Sequence, residues 1–178
     1  MKRFPLPDDA WYSYKQNYGT GTGQHHGTDI FAEAGTSVRA VEEGYARIAN
    51  DPKGGKVVYL KSTDGKREYY FAHLQDWGPL EGLGTDEAFV MENAPIGAVG
   101  TTGNAVGTDP HLHIQMRVDG QQVDPFPYLE AVDKRAGGGG PIVYQGKPHK
   151  SWLDVGIVWI LAFVGVLWLT RKKRRNDG

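Results

Sequence analysis

The chain contains no cysteine. That excludes a disulfide framework and a thiolate metal site, so any metal here must be held by nitrogen and oxygen donors. Excess charge is nearly absent as well, at a formal net of -1 over 178 residues. The last eight residues, RKKRRNDG, nevertheless carry five positive charges and one negative, which leaves the rest of the chain mildly acidic. An acidic body argues against nucleic acid as the principal partner. The N-terminal MKRFPLPDDAWYSYKQ has two basic residues but no apolar stretch behind them, so a cleavable secretory signal is not expected. Convincing helical periodicity is missing from the body.

What is present is a set of short β-prone runs punctuated by glycine: TSVRAV, GYARIA, KVVYLKS, REYYFAHL and HLHIQMRV. Asp64-Gly65 sits between two of them and predicts a tight hairpin that pairs Val57 to Lys61 with Glu68 to His73. With 39% hydrophobic and 23% charged residues, the body suits one globular domain with its own core. The expected fold is mainly β, a compact antiparallel sheet domain.

Toward the C-terminus the pattern changes. AGGGGP, Ala136 to Pro141, reads as a flexible tether, and residues 136–150 as a linker and stalk. Ser151 to Thr170 then form an apolar run in which Asp154 is the one charge. Roughly 20 helical residues at about 1.5 Å each cross the ~30 Å hydrocarbon core, so 151–170 predicts one transmembrane helix. Trp152 and Trp168 stand near its ends, and Arg171 to Arg175 follow, as a cytoplasmic flank does. Residues 171–178 are then a basic tail, which fixes topology and binds anionic lipid.

Five of the six histidines fall in three short segments, HHGTD (His25 to Asp29), FAHL (His73) and HLH (His111, His113). In HLHIQMRV, Leu112, Ile114, Met116 and Val118 share one face of a strand, while His111, His113, Gln115 and Arg117 share the other. The two rings therefore enter the same space, about 7 Å apart along the chain. Both would crowd a single ion, so one is expected as a ligand and the other as a second actor. Gly27 supplies a bend that lets His25 and Asp29 meet at one point. In REYYFAHL, the same alternation places Tyr69, Phe71 and His73 on one face and Tyr70, Ala72 and Leu74 on the other.

Together these segments resemble the lysostaphin-type, or LytM-type, zinc metallopeptidases, which are peptidoglycan endopeptidases. The motifs are HHGTDIFAEAGTSVRAVEEG, then FAHL, then IGAVGTTGNAVGTDPHLHIQ, and VDPFPYL closes the resemblance, which spans about residues 10 to 130. Residue by residue, it implies that His25, Asp29 and His113 bind one Zn²⁺ and that His73 and His111 are the catalytic pair. His26 matches no ligand position, and His149 receives no role. Two imidazoles and a carboxylate leave a fourth position open, the mark of a catalytic rather than a structural zinc site. No HExxH glutamate is present, so proton transfer falls to imidazole, with His111 expected as the base and His73 as the oxyanion stabiliser, or the reverse.

The resemblance implies peptide cross-links of peptidoglycan as substrate. The glycine-rich NYGTGTG and GTTGNAVGTD read either as turn punctuation or as groove walls. Tyr18, Tyr69 and Trp77 are candidate groove aromatics, with core packing as the default. A lead-in is expected over 1–20 and the peptidase domain over 21–135. With the basic tail inside the cell, the domain would face the wall, as a single-pass membrane protein or in a bacteriophage, as a lysis or virion entry enzyme. A non-catalytic wall-binding or amidase-activating module is the alternative from another class.

Overall fold

The computed structural model describes residues 1–21, 24–84 and 86–136. The predicted linker beyond residue 136, the span 151–170 and the basic tail lie outside the described residues. Among those described, no helix is long and apolar enough to cross a membrane.

Among the described residues, ten strands form one antiparallel sheet. They are β1 (Tyr12–Tyr14), β2 (Thr28–Ala32), β3 (Ser37–Arg39), β4 (Gly44–Asp51), β5 (Gly55–Ser62), β6 (Arg67–Asp76), β7 (Glu87–Val90), β8 (Pro95–Val99), β9 (His111–Val118) and β10 (Gln121–Val123). The main path runs β1-β2-β9-β6-β5-β4-β7, with β10 on β9, and β8 joining β3 to β6. The mainly β, antiparallel expectation holds.

The Asp64-Gly65 hairpin is present, with Lys61 opposite Glu68 and Tyr59 opposite Tyr70. Gly65 takes φ +71°, a left-handed conformation that glycine adopts without a Cβ penalty. Asp64 caps the loop by accepting from the Ser62 hydroxyl and the Lys66 amide.

One face of the sheet makes the core. Ile30, Leu60, Phe71, Leu112, Ile114 and Met116 are fully buried there, and Leu6, Val38, Val41 and Ile96 join them from outside the central strands. Each such side chain contributes about 1.5–3 kcal/mol of transfer free energy. The alternation in HLHIQMRV is thus as the sequence predicts: its apolar set seals the core, and its polar set is left on the other face. Buried Glu42 is satisfied on that core side by the Arg67 guanidinium and the Tyr69 hydroxyl.

One helix was not legible in the sequence, α1 (Phe126–Val132), within the segment VDPFPYL and the residues after it. Its seven residues are too few to show a period, although a proline in its first turn is a helix-start signal. Asp133, at its C-terminal end, is buried and accepts from the hydroxyls of Tyr12 (2.8 Å) and Tyr14 (3.1 Å). Phe4 stacks on Tyr12 at 4.4 Å between ring centroids. The N-terminal segment is therefore tied to the end of α1.

Candidate metal centre

The site is assembled by strand register. In the β2–β9 ladder Asp29 lies directly opposite His113, and Phe31 opposite His111. Because side chains alternate, both histidines of β9 and the carboxylate of β2 project from the face opposite the core. His25 arrives from the turn before β2. That turn passes so close to β9 that a Cβ at Gly27 would stand 2.5 Å from the Ile114 carbonyl oxygen and 2.7 Å from the His113 ring. Only glycine fits there.

Three donor atoms converge. His113 Nδ1 is 2.7 Å from Asp29 Oδ1, His25 Nε2 is 3.1 Å from His113 Nδ1, and His25 Nε2 is 3.2 Å from Asp29 Oδ1. The expected ligand set, His25, Asp29 and His113, is thus the set the fold brings together. Its dimensions suit a zinc ion: bonds of 2.0–2.1 Å in a tetrahedron give edges of about 3.3 Å. Burial alone would raise the Asp29 carboxyl, but the hydrogen bond and charge of His113 and the charge of His25 outweigh it and hold it at about 2. An ionised carboxylate beside two imidazoles is the donor chemistry zinc prefers when sulfur is absent.

His73 and His111 stand beside this cluster. Their ring centroids are 4.9 Å apart, and His73 lies 5.9 Å from His113. Each is oriented by a main-chain carbonyl: His73 Nδ1–H donates to Thr102 O at 2.9 Å, and His111 Nδ1–H donates to Asp109 O at 2.8 Å. These bonds select the Nδ1–H tautomer and leave Nε2 of each ring for the groove. Burial pushes the His73 ring below the ordinary imidazole range, against the opposing pull of its bond to Thr102.

His73 reaches this position by a route that simple alternation does not predict. Period two would send it to the core with Tyr69 and Phe71. Between Val58–Phe71 and Lys56–Leu74, however, β6 uses one residue more than β5, a β-bulge. His73 takes φ +65° in the bulge, its amide donates to Gly54 O at 2.8 Å, and both Ala72 and His73 line the groove.

The groove has a volume of about 580 Å³, and its walls include His26, Lys53, Tyr70, Asn104, Thr108 and Gln115. His26 is exposed and donates nothing to the donor cluster; its carbonyl accepts from Gln122. Of the candidate aromatics, Tyr69 and Trp77 are buried in the core, and Trp77 donates to Val57 O at 3.0 Å. Tyr18 is half-buried and outside the groove lining, so the aromatic in the groove is Tyr70. GTTGNAVGTD does form a wall, through Asn104, Ala105 and Thr108.

Two further residues touch the ligands. Asn17 Nδ2 donates to Asp29 Oδ2 at 3.1 Å, and the Asn17 carbonyl accepts from His25 Nδ1 at 3.2 Å. The Gln115 amide lies 3.1 Å from His113 Nε2. Gln115 could have been found by extending the His111–His113 face two residues, whereas nothing in NYGTGTG marks Asn17.

A twisted antiparallel sheet that presents an open His-Asp-His cluster beside two oriented imidazoles defines a metallopeptidase-type site. The comparisons agree. The Peptidase family M23 model matches residues 23–125, and the chain belongs to that family, the zinc metallopeptidase family that its motifs resemble. It is 31% identical over 153 residues to lysostaphin of Staphylococcus simulans, covering 79% of this chain and 29% of that protein. It is 33% identical over 146 residues to the L-Ala–D-Glu endopeptidase of Bacillus subtilis, covering 74% and 44%. The solved catalytic domain of the S. simulans lysostaphin superposes with a TM-score of 0.56 at 29% identity, over 67% of this chain and 92% of that one. The aligned region spans less than half the length of either curated relative.

Proposed function

We propose that the chain is a zinc endopeptidase that hydrolyses peptide cross-links of bacterial peptidoglycan. The observation that carries this reading is the convergence of His25, Asp29 and His113 on one point, with two tautomer-locked imidazoles beside it in an open groove. The relatives support the substrate class: one is named as an endopeptidase for an L-Ala–D-Glu bond.

A zinc ion held by His25, Asp29 and His113 supplies Lewis acidity toward a carbonyl and brings the pKa of water to about 7. The protein's own residues do the rest. His111 holds Nε2 toward the groove because Nδ1–H is committed to Asp109, so it accepts the proton of the attacking water and later delivers it to the leaving amine. His73, whose Nδ1–H is taken by Thr102, stabilises the developing oxyanion once Nε2 carries a proton, a charge that burial opposes. The polar walls hold an extended peptide across the two rings.

The decisive experiment incubates the full chain with purified peptidoglycan, with and without chelator, and identifies released peptides by mass spectrometry. Zinc-dependent release is expected, and the masses name the bond. Tight wall binding without release, by protein shown to hold zinc, would replace this reading with a binding or amidase-activating module.

We further propose that residues 151–170 anchor the chain in a bilayer, with the catalytic body on the wall side and the basic tail inside. Length, apolarity, the flanking tryptophans and Arg171 to Arg175 support it. The body reaches the wall either by insertion directed from the span itself or as a bacteriophage lysis or virion entry enzyme. Alkaline extraction should leave the full chain with membranes and release a version ending at residue 150, and detection in purified virions would select the phage route.

A further inference from the structure

We propose that Asn17 and Gln115 are the positioning residues of the metal centre, and that zinc affinity depends on them as well as on the three ligands. The inference rests on metal binding at His25, Asp29 and His113, not on the identity of the substrate.

A metal ligand is useful only if the correct atom faces inward, and each ligand here has two candidate atoms. His25 must present Nε2, Asp29 one oxygen, and His113 Nδ1. Asn17 settles two of these choices at once. Its carbonyl takes the His25 Nδ1–H at 3.2 Å, which leaves the Nε2 lone pair for the metal. Its side-chain amide donates to Asp29 Oδ2 at 3.1 Å, which leaves Oδ1, the oxygen nearest His113 Nδ1, the less committed of the two. The amide cannot be turned over, because that would set Oδ1 of Asn17 against the carboxylate. Oδ1 is instead buried with no partner among the described residues, a cost consistent with a constrained site.

Gln115 settles the third choice. With Nδ1 of His113 turned toward Asp29 and His25, a metal there requires the ring proton on Nε2. The Gln115 amide faces that nitrogen at 3.1 Å. A half-turn of the amide exchanges its oxygen and nitrogen in nearly the same volume, so Gln115 accepts the proton through its oxygen. The requirement at position 115 is therefore an acceptor, not a donor.

Asn17 also lies before the residues matched by the family model. It follows β1, which pairs with β2 through Tyr14 and Ile30, and it is preceded by Gln16, whose amide bonds Asp124. Tyr14 is tied in turn to Asp133. The lead-in thus acts as a strap that carries an outer partner to the centre and is itself held by Asp124 and Asp133.

The test is zinc affinity of the full chain, by competition with a chromophoric chelator, supported by the visible spectrum of the cobalt-substituted protein. Gln115→Met should bind about 10–100-fold more weakly, the usual loss for an outer partner, whereas Gln115→Glu, which keeps an acceptor, should stay near wild type. Asn17→Leu, which keeps the main-chain carbonyl and removes the amide donor, should weaken binding and alter the cobalt bands. Should Asn17→Leu fail to fold, the half-exposed Gln115 pair still decides the matter. Wild-type affinity in both Gln115→Met and Asn17→Leu, or equal weakness in Gln115→Glu and Gln115→Met, would overturn the proposal. Failure of the wild type to bind zinc would instead overturn the metal centre itself.

Discussion

Asp29 and His113 face each other directly across β2 and β9, and Oδ1 and Nδ1 of their side chains meet at 2.7 Å. The metal centre is therefore a property of sheet register. A slip of β9 by one residue would turn His111 and His113 toward the core, away from Asp29, and bring Leu112 and Ile114 to the groove. The same apolar set that seals the core holds that register, so the site is positioned by packing on the opposite side of the sheet.

Gly27 is the first place to test that dependence. A methyl group at this position meets the Ile114 carbonyl, which belongs to a central strand and has no room to retreat, and the His113 ring. Gly27→Ala is expected to cost about 1–3 kcal/mol of stability and to lower zinc affinity at least tenfold. Thermal unfolding with and without zinc checks both halves. An alanine variant with native affinity would mean that the turn yields without disturbing the ligands.

The two catalytic imidazoles should separate from the ligands in a metal assay. His111→Ala and His73→Ala are expected to retain stoichiometric zinc while turnover falls by about 10²–10⁴. His25→Ala and His113→Ala should lose the metal along with the activity. Zinc analysis beside peptide release on the same preparations distinguishes the classes, and unaltered turnover in His111→Ala would remove it from the mechanism.

His73 carries a second prediction, independent of chemistry. Its φ of +65° is a conformation that costs a residue with a Cβ about 1–2 kcal/mol and glycine little. His73→Gly and His73→Ala should therefore be equally impaired in turnover, yet the glycine variant should be the more stable, by about 1 kcal/mol. Chemical denaturation of the two variants without metal provides the comparison. Equal stability would show that the bulge relaxes once the imidazole is removed.

His73 also shows where the sequence was informative and where it was not. The ligand set was legible through the resemblance of HHGTD and HLH to the metallopeptidase motifs, while alternation in HLHIQMRV indicated only that both histidines of β9 share one face. The same alternation misplaces His73, because the extra residue in β6 leaves no glycine or proline to announce it. Asn17 was illegible for a different reason. It is twelve residues from Asp29, and its bond depends on how the lead-in is tied to Asp133 and Asp124. The aromatics divided along similar lines: Tyr69 is drawn inward by Glu42, whereas Tyr70, one residue on, reaches the groove.

Glu42 yields a pH dependence with a definite sign. Burial pushes its carboxyl up, but the hydrogen bonds from Arg67 and Tyr69 more than offset that, and the net shift is downward from 4.5. A depressed folded-state pKa means that the unfolded chain binds the proton first, so stability rises with pH through this range. The contribution is complete above about pH 5 and disappears as pH falls through the folded-state value. Glu42→Gln removes the charge and leaves Arg67 with Asp64 alone, at 3.1 Å. The substitution is expected to cost about 3 kcal/mol at pH 7, the scale for breaking a buried ion pair, and much less near pH 3. Unfolding of both proteins in the presence of chelator, so that loss of zinc at low pH does not intervene, measures the difference at each pH. Two curves that remain parallel from pH 7 to pH 3 would show that Glu42 contributes through packing and neutral hydrogen bonding rather than through its charge.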